Sequence, residues 1–146
     1  MRWLIALSLV LTAFAAQAQT SPVGFWYTID DETGDVRSRV ELNVVNGELV
    51  GHIREIIKSD RPRDQWFCDQ CKGDKRDAPF EGLQIIEGLR WDAGKQEWNG
   101  GTITDPANGK EYKALLTVAD NGDTLEVRGF IGFALIGRTQ TWQAVQ

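Results

Sequence analysis

The chain has 146 residues, a formal net charge of -5, one histidine and two cysteines. That length fits a single domain with a core of its own. An acidic balance with no basic stripe excludes nucleic acid and anionic lipid as expected partners.

The first residues read as an address rather than as structure. Arg2 gives a short positive start, and residues 3–15 form an apolar run too short to span a bilayer. Ala16-Gln17-Ala18 fits the small-x-small cleavage pattern. Residues 1–18 are therefore the expected signal peptide, cut after Ala18, and residues 19–146 the expected single domain. The residue after the cut is Gln19, not a lipidation cysteine, and no later apolar run is long enough for a membrane span. The expected product is soluble and exported, periplasmic where the host has an outer membrane and secreted otherwise. It keeps 128 residues and carries -6, because Arg2 is lost.

The remaining chain is patterned for strands. Residues 23–29 are the first. Val36, Ser38, Val40, Leu42 and Val44 then alternate with Arg37, Arg39, Glu41 and Asn43, the period of a half-buried strand. Asn46-Gly47 is a tight hairpin signal leading into 48–57. A weaker strand covers 83–91 and another 97–104. Asp105-Pro106-Ala107-Asn108-Gly109 is a turn, with proline set for the first bend and glycine for positive φ. Residues 110–118 place Tyr112, Ala114, Leu116 and Val118 on one face. Asn121-Gly122 marks a further hairpin turn into 124–131, where Leu125, Val127 and Ile131 oppose Glu126 and Arg128. Residues 137–145 form the last strand. About eight short strands with Gly-rich turns, and no helix of normal length, give an all-β fold. The simple order of hairpins favours one small antiparallel up-and-down barrel over a sandwich. Gly129, Gly132 and Gly137 then relieve crowding at barrel corners. Arg37, Arg39 and Arg128 are expected to face solvent. Phe133-Ala134-Leu135-Ile136 is apolar where a turn should be polar. It reads as a plug for one barrel end, with an exposed docking patch as the alternative.

Residues 59–79 interrupt the pattern. Such a loop of about twenty residues is longer than compact domains usually allow, so it is either functional or disordered. Two aromatics, Trp66 and Phe67, and two cysteines argue for order. Cys68-Asp69-Gln70-Cys71 in an exported chain is expected to be a local disulfide that stiffens the loop. A redox-active pair is a second reading, although no strand-helix-strand setting places a cysteine at a helix N-terminus. Metal binding is a third. It lacks a second cysteine pair, so Asp69, Asp74 or Asp77 would have to serve, and no metal or other cofactor is expected. Lys72 after Cys71 excludes haem attachment.

Other chemistry is thinly represented. His52 sits alone in a strand. Ser21, Ser38 and Ser59 lack a nucleophile-elbow context. Asp30-Asp31 reads as turn chemistry rather than as an acid-base pair. No catalytic residue is assigned. Trp26, Trp91, Trp98 and Trp142 read as core and closure, and Trp66 with Phe67 as a lid.

Gly24-Phe25-Trp26 in the first strand and Arg138 in the last have the composition of a barrel closure. The Arg138 guanidinium is expected to stack on the Trp26 indole while its donors reach carbonyls at the rim. Six ordered motifs carry a resemblance over nearly the whole domain. They are Gly24-Phe25-Trp26, Cys68-x-x-Cys71-x-Gly73-Asp74, Gly82-Leu83-x-Ile85, the stretch from Trp98 through Asp105-Pro106 to Tyr112, Val127-Arg128-Gly129-Phe130, and Gly137-Arg138-Thr139-Gln140-Thr141-Trp142. Together they resemble a bacterial exported family of unknown function, number 2147 among such families. The resemblance implies a small secreted β-barrel of lipocalin-like or calycin-like character, with no established reaction.

Three functions follow as expectations. In the first, the chain is a non-enzymatic binder of a small, mainly apolar ligand in the cell envelope. Val40, Leu42, Tyr112, Ala114, Leu116 and Val127 line its interior, and Trp66 and Phe67 cover it. In the second, a solid barrel meets an envelope protein partner through the 59–79 loop, as an assembly or stress module. In the third, Cys68 and Cys71 exchange thiol and disulfide.

Overall fold

The computed structural model describes residues 20–133 and 135–146. The expected signal peptide lies outside them. Eight strands follow in order: β1 (Gly24–Ile29), β2 (Val36–Val45), β3 (Glu48–Ile56), β4 (Gln84–Asp92), β5 (Glu97–Thr104), β6 (Glu111–Val118), β7 (Thr124–Phe130) and β8 (Gly137–Ala144). Each pairs antiparallel with the next, and β8 returns to β1, so the sheet is a closed up-and-down barrel. Trp26 opposite Ala144 and Tyr27 opposite Gln143 make the closing pairs. Closure matters because it leaves no strand edge open.

The local signals act as their chemistry requires. Asn46 and Gly47 both have positive φ, 51° and 78°, the geometry that matches the twist of a two-residue hairpin. The β6–β7 connection is looser, because only Gly122 of its Asn-Gly pair has positive φ. Asp30 forms a turn, its carboxylate accepting from the amides of Glu32 and Thr33 at 2.9 and 3.0 Å. Strand β4 departs from strict alternation. Its pairing with β3 shifts register around Gly51, and Ile85 and Ile86 are both buried.

The barrel has two unlike ends. At the bottom are the short β2–β3, β4–β5 and β6–β7 turns. The chain before β1 crosses beneath, with Thr20 against Gly122. Trp26 donates from Nε1 to the Pro22 carbonyl at 2.8 Å. Above this floor, Val40, Leu42, Leu49, Leu89, Ala114, Leu116 and Leu125 are at most 1% exposed. At the top are the β1–β2 and β5–β6 loops, the long β3–β4 connection and the β7–β8 hairpin. Two expected inward positions fall outside the core. Val44 lies past the bottom rim at 42% exposed, and Ile131 lies past the top rim at 70%.

The long connection is ordered. It holds two single 3-10 turns, Arg63–Gln65 and Gly73–Lys75, and an isolated bridge between Phe67 and Pro79. Cys68 and Cys71 sit at disulfide distance, their Cα atoms 5.2 Å apart, and both are buried in the core cluster. Arg61 ties the connection to the β5–β6 turn by donating to the Ala107 carbonyl at 3.0 Å. Among the described residues, no helix is long and apolar enough to cross a membrane.

Candidate functional site

A cavity of about 690 Å3 opens from the top of the barrel. Its walls come from Ile29, Ile53, Ile56, Phe80, Ile85 and Ile103, with Val127 and the buried Trp142 ring deeper in. The volume suits one small molecule. Polar side chains share the lining with these apolar walls, and several are already engaged. Thr28 and Ser38 hydroxyls share a hydrogen bond of 2.7 Å. Gln140 accepts from Trp142 Nε1 at 3.1 Å. Asn108 donates to the Tyr112 hydroxyl at 3.5 Å, which leaves that hydroxyl free to reorient toward a guest.

The mouth carries a ring of ion pairs. Arg37 donates to Asp60 at 2.8 Å, Lys58 to Asp35 at 2.6 Å and Arg61 to Asp69 at 3.0 Å. Arg138 grips both carboxylate oxygens of Asp31. These donors hold the carboxyls of Asp60, Asp35, Asp69 and Asp31 below the usual aspartate range. Backbone amides of Thr33 and Glu32 do the same for Asp30. Each of the four cations therefore has an ionised partner at neutral pH. The ring positions the loops and leaves the apolar interior without an uncompensated charge.

The residues expected to form the site divide between the two halves of the barrel. Tyr112 and Val127 line the cavity. Val40, Leu42, Ala114 and Leu116 point inward as expected but belong to the packed lower half, not to the cavity. Trp66 is not a lid. It packs against the core and donates from Nε1 to the Arg61 carbonyl at 3.0 Å. Phe67 is 44% exposed and turned away from the mouth, beside Arg61, Asp64, Asp69 and Asp77. The long connection contributes Lys58, Ser59, Asp60 and Arg61 at the mouth and Phe80 to the wall.

Three further expectations change. Arg138 does not stack on Trp26. Trp26 pairs near the bottom end of β8, whereas Arg138 sits at the top end and clamps Asp31, just past β1. Arg138 thus ties the first strand to the last at the mouth, while Gly24 and Trp26 serve the floor. The β7–β8 hairpin is not a plug: Phe133 and Leu135 are 77% and 93% exposed. Arg37 lines the rim instead of facing only solvent. Arg39 lies over the Phe25 ring at 5.1 Å on the outer surface. His52 faces outward between Arg54 and Glu41 on neighbouring strand positions, and partial burial holds its pKa below the ordinary value. Among the described residues, no three His, Cys, Asp or Glu side chains are grouped to hold a metal.

The sequence pattern assigns none of the upper-half isoleucines to the site, although Ile85 and Ile103 stand within the six motifs. Their signal was positional: each lies within a few residues of a strand end bordering a long or charged loop.

Residues 24–144 match the family described as an uncharacterized protein conserved in bacteria, DUF2147. The chain belongs to this family. The DUF2147 match spans every strand from β1 to β8. Among solved structures, protein HP1028 from Helicobacter pylori, described as belonging to the lipocalin family, is similar with a TM-score of 0.72. The identity is 19%, and the match covers 87% of this chain and 84% of that one. The likeness is one of fold, and it makes this DUF2147 chain a lipocalin-like barrel. No curated protein matches the sequence.

Proposed function

We propose that the protein is a non-enzymatic binder of a small, mainly apolar molecule, exported to the cell envelope. The observation that carries this reading is the open cavity of about 690 Å3 with isoleucine walls above a sealed floor. Burial of apolar ligand surface supplies the affinity there, at roughly 25 cal/mol per Å2 removed from water before the costs of association. The Tyr112 hydroxyl and the Thr28–Ser38 pair give such a ligand a polar contact and an orientation. Export is supported by the pattern of Arg2, the apolar run and Ala16-Gln17-Ala18, and by a cysteine pair suited to an oxidising compartment.

The binding test is titration of the purified protein with a neutral apolar fluorophore, N-phenyl-1-naphthylamine. Saturable binding of one equivalent, with energy transfer from the tryptophans, is expected because Trp142 borders the cavity. A signal that never saturates, together with no bound mass in native mass spectrometry of protein taken gently from its own envelope, would remove the reading. Export is checked separately: the envelope fraction should yield a chain beginning at Gln19.

Partner docking through residues 59–79 has one observation in its favour, the exposed Phe67 ring among Arg61, Asp64, Asp69 and Asp77. Alanine at Phe67 should then abolish a pull-down partner. Thiol exchange has less support, since both sulfurs belong to residues at most 1% exposed and attack on them needs access.

A further inference from the structure

The β7–β8 hairpin carries apolar surface that the barrel does not use. Ile131, Phe133, Leu135 and Ile136 are 70%, 77%, 93% and 68% exposed. No charged residue occurs from 129 to 137. The turn is nonetheless built: the Ile136 amide donates to the Phe133 carbonyl at 2.9 Å, and Gly132 takes positive φ. Every other loop at this end bears charge, including Asp30, Asp31, Glu32 and Asp35 in the neighbouring β1–β2 loop. Ile131 and Ile136 also line the cavity, so the apolar tip adjoins its mouth.

We propose that the β7–β8 tip inserts into the interfacial region of a lipid bilayer and seats the cavity mouth against it. Two observations favour a bilayer over a protein. First, the tip is too small for a stable protein interface, which takes roughly 20–30 residues a side. A bilayer needs no shape-matched partner, only side chains that gain by leaving water. Second, the tip adjoins the cavity through Ile131 and Ile136. An apolar guest can pass between hydrocarbon and barrel without crossing open solvent, whereas a protein seated on the tip would block that path. The chemistry also selects the type of surface. The chain is acidic, and the mouth cations Arg138 and Lys58 are already paired with Asp31 and Asp35, so attraction to anionic lipid is opposed. Insertion is therefore apolar in origin, suited to zwitterionic lipid and indifferent to salt.

The test is flotation of the protein, as the cell processes it, with phosphatidylcholine vesicles at low and high salt. The wild type should float equally well in both. The double substitution Phe133→Ser with Leu135→Ser should lower partitioning about tenfold or more. Both side chains are exposed, so the fold and naphthylamine binding in vesicle-free buffer should be unchanged. The proposal is overturned by a wild type that stays with the aqueous fraction, by a double variant that floats as well as wild type, or by binding that high salt abolishes. It is also overturned if the tip drives self-association, seen by sedimentation, without vesicle binding. Tip-dependent flotation with no fluorophore uptake by either form would support this proposal and remove the cavity reading, so the two fail separately.

Discussion

At the scale of single residues, the seat of the long connection is set by an absence. Gly109 closes the β5–β6 turn with φ of 70°, and its amide donates to the Asp105 carbonyl at 2.8 Å. A methyl group there would lie 2.1 Å from the Gln70 carbonyl oxygen and 2.6 Å from the Cys71 nitrogen. Backbone therefore presses on backbone, and the disulfide turn is held against the barrel by contact that only glycine permits. Gly34 has a similar φ of 77°, but nothing lies within 4 Å of the equivalent position. The two sites separate conformational strain from steric displacement. Gly34→Ala should cost only the left-handed penalty, about 1–2 kcal/mol. Gly109→Ala should cost about 2–4 kcal/mol, because the turn at Gln70 must also move. Urea denaturation of both variants checks this. Equal losses would show that the contact at Gln70 yields freely.

At the scale of elements, strands were legible and their faces less so. Period-two alternation in β2, β6 and β7 and the Asn46-Gly47 turn specify hairpins directly. β4 was faint because its bulge buries Ile85 and Ile86 in succession, which breaks the alternation. The order of residues 59–79 was legible from Trp66 and the cysteine pair, but not their direction. Trp66 turns inward against the core and Phe67 outward, and no local pattern distinguishes adjacent aromatics in an irregular segment. The disulfide itself acts locally. Its ring is short, so cross-linking contributes only about 2 kcal/mol through the unfolded chain. Neighbouring backbone bonds, Cys68 amide to Ala78 carbonyl at 2.8 Å and Asp77 amide to Cys68 carbonyl at 2.9 Å, also hold the turn. The double substitution Cys68→Ala with Cys71→Ala should therefore lower stability by about 2 kcal/mol while the far-ultraviolet spectrum stays that of a closed barrel. In the folded wild type, dithiothreitol should reduce the bond slowly until urea is added, since both cysteines are buried. Rapid reduction of the folded protein would revive the thiol-exchange reading.

At the scale of the molecule, the barrel is half core and half container. Alternation along a strand says which side chains point inward, but it is blind to height along the barrel axis. For that reason the pattern groups Leu42 and Leu116 with Tyr112 and Val127, although only the latter two border the cavity. Height is set by where each strand ends and by what closes over it. The floor is closed by Pro22 under Trp26 and by short turns, while the mouth is propped by ion-paired loops. The two halves should therefore respond oppositely to substitution. Leu116 is fully buried below the cavity, so Leu116→Ala removes packed volume and should cost about 2–5 kcal/mol. The cavity walls above it are untouched, so affinity for the naphthylamine fluorophore should hold. Ile103 lines the cavity while its base packs against the core, so Ile103→Trp can extend its ring into the cavity. Affinity should fall about tenfold or more, as ligand contact area and volume are lost, while the melting temperature changes little. Measuring both quantities on both variants is decisive, because general destabilisation would lower binding and stability together. If Leu116→Ala weakened binding as much as Ile103→Trp, the barrel would respond as one compressible core, and the division into floor and container would fall.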